Sequence, residues 1–389
     1  MNNFKHHVHF VAAIVLLLGP AGAMALDDDH WQLAESAIDR GIAYLRQTQG
    51  EDGSWSPQPG PAITGMILAV MLDRSNISAG DPAAAKALNF ILEHVKPDGG
   101  IHAGILQNYN TSICLSALAR IDDLPDVADA VADAQTFLRG LQWYNQADST
   151  GRLIDRSHPY FGGAGYGQHG RPDLSNTQIM LQGLYESGLT CTDPVFQRAL
   201  VFITRCQGTN ANTMFSQNIV NDGGFIYATS IDKDHLGVPQ SMASPQAKDE
   251  ALQGKPVSKL RTYGSMTYAG FKSYVYAALR RDDPRVVDAY NWILRTYTVE
   301  HNPGMPENLK HQGYYYYLMT MSRALDAWGA TYIESPDGTK HDWANDLIDK
   351  LVDLQNDDGS WVNPTSRWME RDINLVTAYA LIALIHTLK

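Results

Sequence analysis

Only three cysteines, Cys114, Cys191 and Cys206, stand in 389 residues. So few, and an odd number, exclude a disulfide framework. One bridge, Cys191 to Cys206, stays open beside the simpler expectation of three buried thiols. No CxxC pair exists, which excludes a zinc ribbon. Positive charge is also scarce: 30 Lys and Arg face 42 Asp and Glu, a formal charge of −12. A nucleic-acid partner is excluded, because phosphate binding needs clustered Lys and Arg. Long hydrophobic runs are missing too. Beyond Leu18 no stretch stays apolar over the ~20 residues that a membrane-spanning helix needs.

The first 25 residues carry a pattern of their own. Lys5, His6 and His7 make a weakly basic start, residues 10–18 are unbroken apolar, and Pro20 ends the run. Ala23-Met24-Ala25 then supplies a small-x-small cleavage signal. This is the layout of a secretory signal peptide, with cleavage expected after Ala25. The chain is therefore expected to be exported, periplasmic or secreted, with no integral membrane span after signal removal. Residues 26–389, with a chain composition of 44% hydrophobic and 19% charged, are expected to form one globular domain.

What the chain does have is internal repetition. An amphipathic helix carrying Arg40, Gly41 and Gln47 runs into Asp52-Gly53-Ser54-Trp55. Near the other end a similar helix runs through Gln355 into Asp358-Gly359-Ser360-Trp361. Weaker copies lead to Asp98-Gly99-Gly100, Gln142-Trp143, Asp222-Gly223-Gly224-Phe225 and Asn302-Pro303-Gly304, which makes six units. Each unit continues with a second, more apolar helix, near residues 63–72, 111–120, 175–188, 265–279, 315–328 and 375–388. A helix apolar nearly all round is buried, whereas one with a charged face lies outside. The pattern predicts an all-α fold: an (α/α)6 toroid, six inner helices running parallel inside a ring of outer helices, with the first and last units touching.

The links between helices are of two kinds. Inner-to-outer links are short and use Asp81-Pro82, Asp193-Pro194 and Asp283-Pro284 as N-cap and first helical residue. Outer-to-inner links are long, above all residues 144–172 and 208–263. In a ring of helix pairs these long links share one face, and long loops carry function. The site is therefore expected at the mouth of the barrel, where the inner helices begin.

The helix-Gln-turn-Gly-x-Trp unit resembles the QW repeat of squalene and oxidosqualene cyclases. Arg40-Gly41, the spacing from Gln47 to Trp55, and Gln355, Gly359 and Trp361 carry the likeness, which spans nearly all of residues 26–389. Exported bacterial proteins described as prenyltransferase or squalene-oxidase repeat proteins are similar through Arg171-Pro172-Asp173-Leu174-Ser175-Asn176-Thr177-Gln178 and Tyr263-Gly264-Ser265-Met266-Thr267-Tyr268. The resemblance implies a toroid of the terpenoid-cyclase superfamily. Two features of its enzymes are absent. No Asp-x-Asp-Asp acid motif exists, and no Asp-x-Cys pair precedes Cys114 to hold zinc as in protein prenyltransferases. Squalene cyclases also use two toroids, and this chain has length for one. No family catalytic residue carries over, and Gln47, Gly53, Trp55, Gln355, Gly359 and Trp361 are expected to be structural.

Candidate chemistry is weighed at the mouth. The Gly-rich run from Tyr160 to Asp173 lacks the GK[ST] of a phosphate loop. Asp173 is either the N-cap of the third inner helix, with Asn176 one turn on, or an acid or base raised by an apolar surround. His169 and His311 precede inner helices. With Asp173 they offer three side chains of the kinds that zinc takes, set against plain loop histidines. No metal or cofactor is expected. Tyr314 to Tyr317 open the fifth inner helix, and Tyr315 is expected to join Tyr109, Asn110, Tyr263 and Met266 around a ligand, or else to fill the core. Glu370 and Asp372 precede the last inner helix as an acid–base pair or as charges complementing its dipole. Free N–H groups at the helix starts would favour an anionic or polar ligand group there.

Three functions stay open: a terpenoid-cyclase or prenyltransferase-like protein acting on or binding an isoprenoid-like lipid, an exported carbohydrate-active protein, or a non-catalytic scaffold. A deep apolar cavity with one carboxylate favours the first. An open groove with several carboxylates favours the second, and a filled barrel the third. Fold alone does not choose.

Overall fold

The computed structural model describes residues 26–122, 124–148, 150–168 and 170–389. The expected signal peptide and His169 lie outside the described residues. The helices come in pairs. They are α1 (Asp28–Thr48) with α2 (Ala62–Leu72), α3 (Pro82–Glu93) with α4 (Gln107–Leu118), and α5 (Pro125–Leu141) with α6 (Leu174–Glu186). Next comes α7 (Pro194–Arg205), then α8 (Pro245–Leu252), which lies inside the long link, and α9 (Gly264–Tyr276). The last pairs are α10 (Pro284–Thr296) with α11 (Tyr314–Trp328), and α12 (Trp343–Asp353) with α13 (Ile373–Ile385).

The second helix of each pair forms the inner ring. α2, α4, α6, α9, α11 and α13 pack in that cyclic order, and α13 packs back on α2. α1 also packs on α12 and α13, so the first and last units touch. Burial explains the sorting. Every residue of α2 from Ala62 to Met71 is buried. In α1 only the stripe Ala34, Ala37, Ile38, Gly41, Ile42 and Leu45 is buried, a spacing of three and four that faces inward. Asp81, Asp193 and Asp283 cap α3, α7 and α10, each followed by proline.

The repeat residues work across unit boundaries. The Gln49 side-chain amide donates to the Gly53 carbonyl of its own turn (3.0 Å) and to Ala83 at the start of the next outer helix (2.9 Å). Gln142 does the same to Gly162 and Val195, both at 2.9 Å. Gln207 reaches Gly223 (3.0 Å) and Arg285 (2.8 Å). Gln355 closes the ring, donating to Gly359 and to Ala37 of α1, both at 2.9 Å. Gln47, the other glutamine of the first unit, is exposed. It sits inside the last turn of α1, whereas Gln49 at the C-cap is free to reach sideways.

Five turn glycines, Gly53, Gly99, Gly162, Gly223 and Gly359, sit against the next outer helix, while Gly304 meets Thr262 before α9 instead. A Cβ on Gly53 would meet the Lys86 carbonyl at 2.4 Å, on Gly99 that of Asp133 at 2.5 Å, and on Gly359 that of Arg40 at 2.4 Å. The tryptophans tie the turn inward. Trp361 is fully buried; its indole N–H donates to Leu351 (2.8 Å) and its backbone N–H to the Thr377 hydroxyl of α13 (3.1 Å). Trp55 repeats this with Leu45 (2.8 Å) and Thr64 (3.0 Å).

The structure differs from expectation in three places. α4 starts a turn earlier than residue 111, entered through Leu106 in the left-handed region (φ 49°). The link at 208–263 holds α8. The link between α11 and α12 holds a hairpin, β1 (Ile333–Glu334) antiparallel to β2 (Lys340–His341). All three thiols are free, so Cys191 and Cys206 are not bridged; Cys191 is half-buried rather than buried.

Two stability outcomes follow. Trp361→Ala is expected to lose about 3–5 kcal/mol in denaturant melts; unchanged stability would remove its structural role. Gly359 (φ 89°) and Gly338 (φ 86°) share a left-handed backbone, but only Gly359 has a neighbour where a Cβ would go. Gly338→Ala is expected to cost about 1–2 kcal/mol for the conformation alone. Gly359→Ala should cost clearly more, and equal losses would refute the packing across the seam.

Candidate functional site

A cavity of about 270 Å³ opens where the inner helices begin, close to the ~300 Å³ lower end of ordinary small-molecule pockets. Every inner helix contributes to it. Ala62 and Ile63 come from α2, Tyr109 from α4, Ser175 from α6, Met266 from α9, Tyr316 from α11, and Leu375 with Tyr379 from α13. The pair Leu375 and Tyr379 is one turn apart and so shares a face. The long links add Tyr166, Tyr227, Met242 and Tyr263. Trp368, Met369 and Glu370, just before α13, complete the wall. Its rim carries exposed apolar side chains, Tyr166, Trp368 and Met369.

Three of the tyrosine hydroxyls are paired. Tyr109 and Tyr379 meet at 3.0 Å. Tyr316 meets Ser175 at 2.9 Å and accepts from the Gln178 amide at 3.1 Å. Burial pushes Tyr316 up to about 12, and Tyr227, Tyr263 and Tyr379 well above their ordinary value. These tyrosines are therefore neutral at physiological pH.

Among the described residues Glu370 is the single carboxyl group on the cavity wall. Its side chain accepts from the backbone N–H of Tyr316 (2.8 Å) and of Tyr315 (3.4 Å), and from the Asn363 amide (2.6 Å). These donors favour the charged form. Burial opposes them and wins, pushing the group up to about 7. The position is a helix cap supplied by the neighbouring unit. Asn110 caps α2 in the same way, accepting from Ala62 at 2.8 Å, and Asn302 caps α9, accepting from Ser265 at 3.0 Å. At α11 a titratable group takes the place of asparagine. Trp368 and Met369 reach it through left-handed backbone, φ 54° and 65°.

The sequence candidates divide. Tyr109, Tyr263, Met266 and Glu370 line the cavity. Asp173 does not: it is buried as the N-cap of α6, accepting from the Asn176 N–H at 2.8 Å and from the Asn176 amide at 2.9 Å. Burial raises its pKa. Asn176 is buried beside it. Asp372 caps α13, accepting from Leu375 at 3.0 Å, and is separate from the cavity and from any pairing with Glu370. Asn110 spends its amide on backbone: besides capping α2 it donates to Pro59 (2.9 Å) and Ile105 (3.0 Å). Tyr315 packs on Tyr314 with ring centroids 5.5 Å apart, and the next residue, Tyr316, faces the cavity instead. His311 is exposed against Tyr314. Among the described residues no three His, Cys, Asp or Glu side chains gather as a metal-holding group.

One further expectation is corrected. The starts of α6, α11 and α13 already hold a carboxyl group of the chain itself, Asp173, Glu370 and Asp372, where an anionic ligand group was expected. Residues not anticipated are Tyr166, Tyr227, Tyr316, Tyr379 and Trp368. Tyr379 was legible as the residue one turn beyond Leu375, and Trp368 by its closeness to Glu370. Tyr227 and Met242 arrive from the 208–263 link, where no periodicity points.

No family model and no curated protein sequence matches the chain. Solved structures do. An alpha-1,6-mannanase from Salegentibacter is 8% identical with a TM-score of 0.58, covering 92% of this chain and 99% of that one. A variant of unsaturated glucuronyl hydrolase from Streptococcus agalactiae is 13% identical with a TM-score of 0.54, covering 96% and 98%. A type II terpene cyclase from Scytonema, in complex with geranylgeranyl dihydroxybenzoate, is 12% identical with a TM-score of 0.49, covering 93% and 99%. Among the described residues no helix is long and apolar enough to cross a membrane. The chain has the (α/α)6 toroid fold that its repeats predicted.

Proposed function

We propose that this chain binds or acts on a hydrophobic small molecule, isoprenoid-like or another lipid, in the cavity at the barrel mouth. The observation that carries the reading is the lining itself. Tyr109, Tyr166, Tyr227, Tyr263, Tyr316 and Tyr379 stand with methionines and aliphatic side chains around one carboxyl group, Glu370. Apolar pockets with few convergent polar groups suit apolar ligands, which those polar groups orient. Glycoside hydrolysis by a carbohydrate-active protein calls for two carboxyl groups flanking the scissile bond. Here Asp173 and Asp372 each cap an inner helix and are absent from the cavity lining, so neither provides the second. The same proposal places the protein outside the cytoplasm, on the signal-like pattern of its first 25 residues.

Glu370 gives the cavity its proton chemistry. A carboxyl group near 7 is half protonated at neutral pH, which suits a general acid or base. It is a poor match for protonating an alkene, which wants a stronger acid. The reading is therefore binding, with proton transfer to or from an oxygen atom of the ligand, rather than cation-initiated cyclisation.

Thermal melts of the purified chain with farnesol and with mannobiose test the proposal. A ligand at 100 times its Kd adds about 2.7 kcal/mol, so farnesol should raise Tm by several degrees and mannobiose should not. The converse result overturns the reading. Met266→Trp, which fills the cavity, should abolish the farnesol shift.

Glu370 also makes a pH prediction. Its pKa is raised on folding from 4.5 to about 7, so between those values the folded state holds a proton the unfolded state has released. Stability from this group is present below pH 4.5 and is lost as pH rises to about 7, a change of about 3 kcal/mol. Glu370→Gln removes that slope. Stability of the wild type minus that of the variant should therefore fall between pH 5 and 7.5; a flat difference would mean Glu370 is ionised throughout.

A further inference from the structure

Beneath the mouth cavity lies a second, smaller one of about 30 Å³. Tyr109 and Tyr316 line both, so the two spaces share a wall. The lower lining lies about one turn further along the inner helices: Met66 follows Ile63, Gln178 follows Ser175, and Ile382 follows Tyr379. Two residues of its wall each carry a buried polar atom without a hydrogen-bond partner: Gln178 its Oε1, an acceptor, and Arg323 its Nε–H, a donor. Gln178 is 1% exposed and Arg323 5%. Buried polar groups are rarely left so, because an unmade hydrogen bond is expensive.

Charge around this chamber is already settled. Arg323 donates through Nη1 to Glu186 at 2.8 Å, and Arg120 takes the other Glu186 oxygen at 3.2 Å and Asp73 at 2.7 Å. His386 meets Asp326 at 2.5 Å. Burial drives Lys272 well below its ordinary pKa, toward its neutral form, and its Nζ donates to Gln182 at 2.5 Å. What is missing is one donor and one acceptor, not an ion.

We infer that the lower chamber seats a hydroxyl group: the terminal alcohol of a ligand whose apolar body occupies the mouth cavity, accepting from Arg323 Nε and donating to Gln178 Oε1. The size fits. A water needs ~10–15 Å³ of such space, so the chamber takes a hydroxyl and the carbon that bears it. A hydrocarbon end would leave both atoms unpaired, and a carboxylate would face the Gln178 oxygen. The inference rests on the apolar-ligand reading of the mouth cavity.

The test is displacement of phenylnaphthylamine fluorescence from the full chain by decanol, decane and decanoate. Decanol is expected to compete at a concentration about tenfold or more below decane, the value of hydrogen bonds regained. Gln178→Met keeps the side-chain size and should erase that preference, with its melt showing that it folds. The wild-type comparison stands even where the variant does not fold. Equal potency of decanol and decane overturns the inference alone, since water then fills the chamber. Decanoate outcompeting decanol overturns it in favour of a charged head. Failure of all three to displace the dye overturns the apolar-ligand reading and this inference with it.

Discussion

The fold depends on a side-chain amide that holds two carbonyls at once. Gln49, Gln142, Gln207 and Gln355 each bond the turn of their own unit and a backbone carbonyl of the next outer helix, in its first turn for the first three and at Ala37 in the middle of α1 for Gln355. A buried carbonyl without a partner is costly, so each clamp fixes the spacing between neighbouring units. The glycine beside it lets the turn approach the neighbouring backbone, which a Cβ would prevent. Because unit six clamps unit one, the arrangement is a ring rather than an open stack. Closure of that ring brings six inner-helix starts together around one cavity.

The same neighbour-to-neighbour logic shapes the cavity. Inner helices receive caps from the unit that follows, by Asn110, Asn302 and Glu370. Those caps take up donors at the helix starts, and the wall of the mouth is mostly apolar and aromatic. Two of the buried polar atoms left without a partner belong to Gln178 and Arg323, residues that line the lower chamber.

The outline of the fold was legible because its determinants are local. Gln-turn-Gly-Trp in the first and last units, Asp-Pro caps, and apolar second helices all sit within a few residues of what they control. Degenerate units obscured less than expected: Ile101, Ala164 and Phe225 keep the backbone bond to an inner-helix threonine that Trp55 and Trp361 make. The site was legible only in part. Glu370, Tyr109, Tyr263 and Met266 were found because they flank or open inner helices. Tyr315 was chosen over Tyr316 because rotation about a helix axis is set by packing, not by sequence position. Asp173 and Asn110 are residue types that serve caps as readily as ligands, and here the backbone claims them. Tyr227 and Met242 reach the cavity through an irregular link whose path no local pattern encodes.

The clamps and the cavity wall share no residue: Gln49, Gln142, Gln207 and Gln355 are all absent from the lining. Bore and contents are thus separable, and lining side chains are free to be exchanged without loosening the ring. Glu370 is the exception. It caps α11 and faces the cavity with the same carboxyl group. At that one position the chain cannot be re-tuned toward a new ligand without also re-tuning its own stability, a conflict of the kind that trades activity against robustness.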